Sequence, residues 1–114
     1  MLTDRMFIHT KIFDKLWESL GCDDDDLAEL QKAICEAPQK PPVLRGTGGI
    51  RKIRISFGNR GKSGSARVLY VDFVLRGVIG LLYVYPKNEK EDINDEERKM
   101  LKNMVEQLDK NWRL

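Results

Sequence analysis

Three β-rich runs follow one another between Ile50 and Tyr85, and the breaks between them are too short to carry the chain back across a sheet. A parallel return needs a crossover of about a dozen residues or more, so the three runs must pair antiparallel. The first, Ile50 to Phe57 (IRKIRISF), alternates, with Ile53 and Ile55 on one face and Lys52 and Arg54 on the other. Gly58 to Ser65 (GNRGKSGS) is glycine-rich and reads as a turn or mobile loop. Ala66 to Leu75 is the second strand, Arg76-Gly77 a turn, and Val78 to Tyr85 the third strand.

The flanks read as helix. Met6 to Thr10 is a short first strand, after which Ile12, Phe13, Leu16, Trp17 and Leu20 follow helical spacing up to a natural stop at Gly21. Asp23 to Asp26 supplies an N-cap and first-turn acids for a second helix. Leu27, Leu30 and Ile34 form its buried stripe, with Cys35 at the margin, and Pro38, Pro41 and Pro42 end it. Asn94 with Glu97 three residues on resembles a capping box. It opens a last helix whose apolar face comprises Met100, Leu101, Met104, Val105, Leu108 and Trp112. The expected fold class is α+β: two N-terminal helices, a twisted antiparallel sheet of three to four strands and a C-terminal helix, in one domain over residues 1–114.

Composition narrows the class. Hydrophobic residues at 41% and charged residues at 33% describe a globular chain, and no apolar run approaches a membrane span. Asp4 in MLTDRMFIHT and the absence of a signal-peptide core point to the cytoplasm. Cys22 and Cys35 read as thiols, and one histidine without a Cys-x-x-Cys pair argues against zinc. The aspartate run lacks the glycine and distal glutamate that a calcium loop needs. His9 reads as a surface or strand-edge residue, and Trp17 and Trp112 as core anchors. No metal or cofactor is expected.

Net charge is only +2, but its distribution is uneven. Met1 to Glu36 holds nine acids against four bases, whereas Ala37 to Val71 holds no acid and eight cations: Lys40, Arg45, Arg51, Lys52, Arg54, Arg60, Lys62 and Arg67. Two nucleotide-binding motifs fail inside that window. Gly61-Lys62-Ser63 has Ser56 where a P-loop needs glycine, and a strand follows it rather than a helix. Gly46-Thr47-Gly48-Gly49 has Arg51 where a dinucleotide fingerprint needs its last glycine. The basic strand is the better signal. Lys52 and Arg54 share one face, and in an acid-free context such a face attracts polyanions.

The stretches LRGTGGIRKIR, GKSGSARVLY and LLYVYPKNEKEDI, in that order, resemble the RelE-like toxins of type II toxin–antitoxin systems, and most of all their HigB-like branch. The resemblance spans about Leu44 to Asp92. It implies a metal-independent mRNA interferase, an endoribonuclease that cuts messenger RNA on the ribosome and so inhibits translation. The positions that match the family's phosphate-facing cations are Lys52 and Arg54 on one strand, Arg67 on the next and Lys87 after the last. Lys52 is then the candidate general base, Arg54 and Arg67 stabilise the transition state, and Lys87 stabilises charge or donates the leaving-group proton. A mechanism built on two histidines is excluded, since His9 stands alone. Where some relatives carry a tyrosine near the last helix, this chain reads Asp92-Ile93-Asn94.

Arg45, Arg51, Arg60 and Lys62 are the candidates for gripping messenger or ribosomal phosphate, and Tyr70 and Tyr85 for stacking on bases or orienting a phosphate. The resemblance also implies an antitoxin partner, commonly a helix-turn-helix, HigA-like protein. Two rival readings share the scaffold: a ParE-type toxin that inhibits DNA gyrase, and an inactive module that only binds its antitoxin.

Overall fold

A computed structural model describes residues 5–57, 64–90 and 92–111. In chain order it contains β1 (Met6–His9), α1 (Lys11–Ser19), α2 (Asp24–Glu36), β2 (Ile50–Phe57), β3 (Gly64–Phe73), β4 (Val78–Pro86) and α3 (Asp95–Asn111). The sheet order is β1-β4-β3-β2. The last three strands pair antiparallel, as their short connections require. The first does not: β1 lies parallel to β4, so the sheet is mixed rather than antiparallel throughout. Both helices and two strands separate β1 from its neighbour, so no tight turn dictates its direction. The Met6 N–H donates to Gly77 O at 2.8 Å and the Thr10 N–H to Leu81 O at 3.1 Å, closing that edge.

Local chemistry starts each helix. Thr10 Oγ1 accepts the Phe13 N–H at 3.0 Å and donates to Leu82 O at 2.8 Å, so the cap of α1 is also its tether to β4. Asp23 and Asp26 form a reciprocal capping box at α2, and Asn94 and Glu97 form another at α3, with bonds of 2.8–3.0 Å. β3 stops at Phe73, two residues short of the strand expected from composition. Val74–Arg76 instead coil into a 3₁₀ turn, with Leu75 fully exposed, and Gly77 at φ 66° returns the chain into β4.

The sheet is buried on both faces. Phe13, Trp17, Leu30 and Ile34 pack with Val68, Tyr70, Ile79 and Leu81 under α1 and α2. Ile50, Leu69, Val71, Leu82 and Tyr85 pack with Ile93 and Leu101 under α3, where Met104, Val105 and Leu108 extend the contact. This explains why β3 and β4 read as almost unbroken apolar runs. Trp17 stacks on Phe13 at 5.4 Å between centroids, the anchoring role expected of it. Met100 is 37% exposed and lies off the buried stripe of α3, being one position out of phase with Leu101. Trp112 and most of the Gly58–Ser65 loop lie outside the described residues.

A β-bulge interrupts β4. Leu69 pairs with Tyr83 but Tyr70 pairs with Leu81, so Leu82 is an extra residue in the ladder. Alternation beyond the bulge is thereby inverted. Tyr83 and Tyr85 face α3 rather than continuing the Ile79 and Leu81 face.

The Gly46–Gly49 segment is a turn with a structural purpose. Gly46, Gly48 and Gly49 all have positive φ. They wrap a fully buried Thr47, whose hydroxyl donates to Leu44 O at 2.6 Å and accepts the Ile50 N–H at 3.1 Å. The turn lays Pro42 to Leu44 against the outer edge of β2, where the Lys52 N–H donates to Pro42 O.

Candidate functional site

The bulge and the β2–β3–β4 register assemble two cross-strand rows on the α3 face. One row is Lys52, Leu69 and Tyr83; the next is Arg54, Arg67 and Tyr85. Residues directly opposite in an antiparallel ladder point to the same side, so each row is a set of side-chain neighbours. α3 crosses the sheet from the Tyr83–Glu97 contact to the Gly80–Leu108 contact. The second row lies just beyond the start of that helix.

Exposure is graded along the second row. Arg54 is exposed at the sheet edge, whereas Arg67 is 4% and Tyr85 1% exposed. Arg67 is therefore the floor of the site, one guanidinium N–H reaching Ala66 O at 3.4 Å. Lys52 Nζ lies 3.8 Å from Asp92 Oδ1, and that oxygen also accepts the Ile93 N–H at 2.8 Å. The Asp92-Ile93-Asn94 segment thus supplies a carboxylate beside Lys52, a core residue and a helix cap.

A second cluster covers the tyrosine end. Lys90 Nζ sits 5.4 Å from the centroid of the Tyr83 ring and 5.2 Å from that of Tyr85. Its ammonium donates to Glu97 Oε2, which also accepts the Tyr83 hydroxyl at 3.1 Å. Glu97 Oε1 accepts the Asn94 N–H at 2.9 Å. Partial burial pulls the Lys90 ammonium down and the Glu97 carboxyl up, but the hydrogen bonds within the cluster outweigh it. Lys90 is held above the usual lysine value and Glu97 below the usual carboxylate value. Burial, reinforced by Asp92 against the opposing charge of Arg67, pushes the Tyr85 phenol up to about 12. It is a neutral hydroxyl at physiological pH, not a ready base.

The residues expected from sequence divide. Lys52, Arg54, Arg67 and Tyr85 come together. Arg51 and Tyr70 pair with each other on the opposite face. There Arg51 Nη1 donates to Gln39 O at 2.8 Å and to Pro41 O at 2.6 Å, pinning the chain between α2 and β2. Tyr70 is fully buried and donates to Pro38 O at 2.7 Å, with burial pushing its phenol up to about 12. In this conformation neither Tyr70 nor Tyr85 has a ring face open to a base. Arg45 is exposed on the glycine turn, whose backbone is tied to α3 by Arg98 Nη1 donating to Arg45 O at 2.9 Å. Lys87 is exposed just past β4, its backbone N–H bonded to Ser65 O at 3.0 Å. Arg60 and Lys62 lie outside the described residues.

Sequence reasoning passed over Lys90, Tyr83 and the carboxylate of Glu97, which it read only as a cap. The second lysine of Lys87-Asn88-Glu89-Lys90 was the available signal. Among the described residues no group of His, Cys, Asp and Glu is placed to hold a metal ion, and no helix is long and apolar enough to cross a membrane.

Fold and site together define a small α+β protein with a cationic sheet face beside a helix start, a class that includes the RelE-like toxins. The chain belongs to the RelE toxin family: the family model described as the RelE toxin of the RelE/RelB toxin–antitoxin system matches residues 5–113. A solved structure of the E. coli toxin RelE, a double arginine-to-alanine mutant in the free state, is similar in fold. Its TM-score is 0.54 at 17% identity, covering 77% of this chain and 88% of that one. Membership in a toxin–antitoxin family implies an antitoxin as partner.

Proposed function

We propose that this toxin is a ribosome-dependent, metal-independent mRNA endoribonuclease of the HigB-like branch, acting in the cytoplasm and held in check by a helix-turn-helix antitoxin. The observation that carries the reading is the opposition of Arg54 and Arg67 across β2 and β3, with Lys52 one row away. Like charges directly opposite one another repel, and an anion that bridges them offsets the repulsion. A messenger phosphate is such an anion.

In this reading the Lys52 amine takes the proton from a 2′-hydroxyl. The oxygen attacks the adjacent phosphorus, forming the P–O2′ bond as the P–O5′ bond breaks. Lys87 returns a proton to O5′, leaving a cyclic phosphate and a 5′-hydroxyl. Arg54 at the rim and Arg67 at the floor offset the charge that builds on the phosphoryl oxygens. The ribosome supplies the in-line geometry that so sparse a constellation lacks. Arg45, and Arg60 and Lys62 of the neighbouring loop, add contacts to ribosomal or messenger phosphate that weaken as salt rises.

The test is an in vitro translation reaction in which mRNA ends are mapped with and without ribosomes, beside a Lys52→Ala/Arg67→Ala protein. Cuts that require both ribosomes and the cation pair support the reading. Cuts on naked RNA remove the ribosome from the mechanism. Intact mRNA throughout rejects the ribonuclease, and a DNA supercoiling assay then tests gyrase inhibition.

A further inference from the structure

Lys90 has no role in that reaction, yet it is a firmly held cation of the face. Its ammonium is fixed from two sides, by the Glu97 carboxylate and by the faces of two tyrosine rings. The rings belong to both rows: Tyr83 ends the Lys52 row and Tyr85 ends the Arg54–Arg67 row. Lys90 therefore spans the two rows at their interior end, opposite the exposed Arg54. Its side chain remains 24% exposed. Glu97 and the Tyr83 hydroxyl engage two of its three donors, which leaves the third for a ligand on the exposed side. Among the described residues, Lys52 and Arg54 of β2, Arg67 of β3 and Lys90 gather on this face, with Asp92 beside Lys52 and Glu97 beside Lys90.

We propose that Lys90 is a fixed cation of the RNA-cleaving face, contacting the scissile phosphate from the side opposite Arg54, and that Glu97 is its positioning residue. The proposal rests on the ribonuclease reading and deepens it. Lys90 exchanges no proton in the reaction. Its partners keep it charged, so its contribution is electrostatic and is present before the substrate arrives. Glu97 acts through Lys90. Its carboxylate aims the ammonium, while its other oxygen and the Tyr83 hydroxyl fix the carboxylate itself. Tyr83 and Tyr85, whose rings sit 6.2 Å apart, form the platform on which the ammonium rests.

The experiment uses the full chain in the ribosome-containing cleavage reaction, with single-turnover rates read from mapped mRNA ends. Lys90→Met should lower the cleavage step on the order of 10²-fold, as loss of a preorganised charge-stabilising donor does. The fall should lie in kcat rather than KM, and the shape of the pH–rate profile should be unchanged. Lys90→Arg should recover most of the rate. Glu97→Gln keeps an oxygen for the Asn94 N–H, so the helix cap survives, and it should slow cleavage roughly tenfold by releasing the ammonium. The double variant Lys90→Met/Glu97→Gln should be no slower than Lys90→Met alone. Urea midpoints of all variants separate misfolding from lost chemistry. Cleavage by Lys90→Met at the wild-type rate overturns the proposal, as does a double variant in which the two losses multiply, since Glu97 would then act independently. Wild-type protein that cuts no mRNA rejects the ribonuclease reading itself and takes this proposal with it.

Discussion

Arg54 and Arg67 occupy directly opposed positions on β2 and β3, one exposed and the other 4% exposed, with Tyr85 opposite Arg67 on its far side. A cross-strand pair of like charges costs the sheet a few tenths of a kcal/mol to about 1 kcal/mol. Arg54→Thr removes the repulsion and places a good strand former at the edge. It should raise the unfolding free energy by about 0.5 kcal/mol in urea melts, while slowing mRNA cleavage. A variant that loses stability would show that the two guanidinium groups do not repel in the folded protein.

Thr47 is the hinge of the turn that feeds β2. Thr47→Val keeps the shape but strands the buried Ile50 N–H, which should cost about 1–3 kcal/mol by chemical denaturation. Thr47→Ser keeps the acceptor and should lie close to wild type. A loss in Thr47→Ser with little loss in Thr47→Val would assign the effect to the threonine methyl instead of the hydroxyl.

The Lys90–Glu97 pair gives stability a dependence on pH with a definite sign. Glu97 is held below its ordinary value of 4.5, so its contribution is complete above that pH and drains away as pH falls through its folded value. Lys90 is held above its ordinary 10.5, so its contribution is complete below that pH and is lost as pH rises further. The stability difference between wild type and Glu97→Gln should therefore be level across neutral pH and shrink below about 4.5. A difference that grows in acid would contradict the assignment.

Gly80 lets α3 lie close to the sheet. A Cβ there would stand 3.3 Å from both Leu108 Cδ1 and Val71 Cγ1. Gly80→Val overfills that contact and should cost about 1–3 kcal/mol. Hydrogen exchange should locate the loosening in α3 rather than in α1 or α2.

Much of this molecule is written locally. Asp23 with Asp26 and Asn94 with Glu97 announce their helices, because a side chain three residues away can satisfy a backbone N–H without any tertiary partner. The antiparallel order of β2, β3 and β4 follows from short connections, and the shared face of Lys52 and Arg54 from a period of two within one unbroken strand. The direction of β1 had no such local rule, since its neighbour lies far along the chain.

The site itself belongs to the tertiary structure. Strict alternation through β4 would have placed Tyr83 and Tyr85 with Ile79 and Leu81, beneath α1 and α2. The extra residue Leu82 turns them over, and a bulge is a property of two strands in register, not of one. Lys87 and Lys90 are equivalent in composition, yet only Lys90 meets Glu97, because the first turn of α3 packs beside Tyr83. Arg51 and Arg54 likewise differ only by parity, and that parity sends one to carbonyl oxygens behind the sheet and the other to the cationic face. Residue type and spacing thus determined which elements form and that positive charge would gather on β2 and β3. Which side chains meet was decided by register and packing, since those contacts join residues distant in sequence.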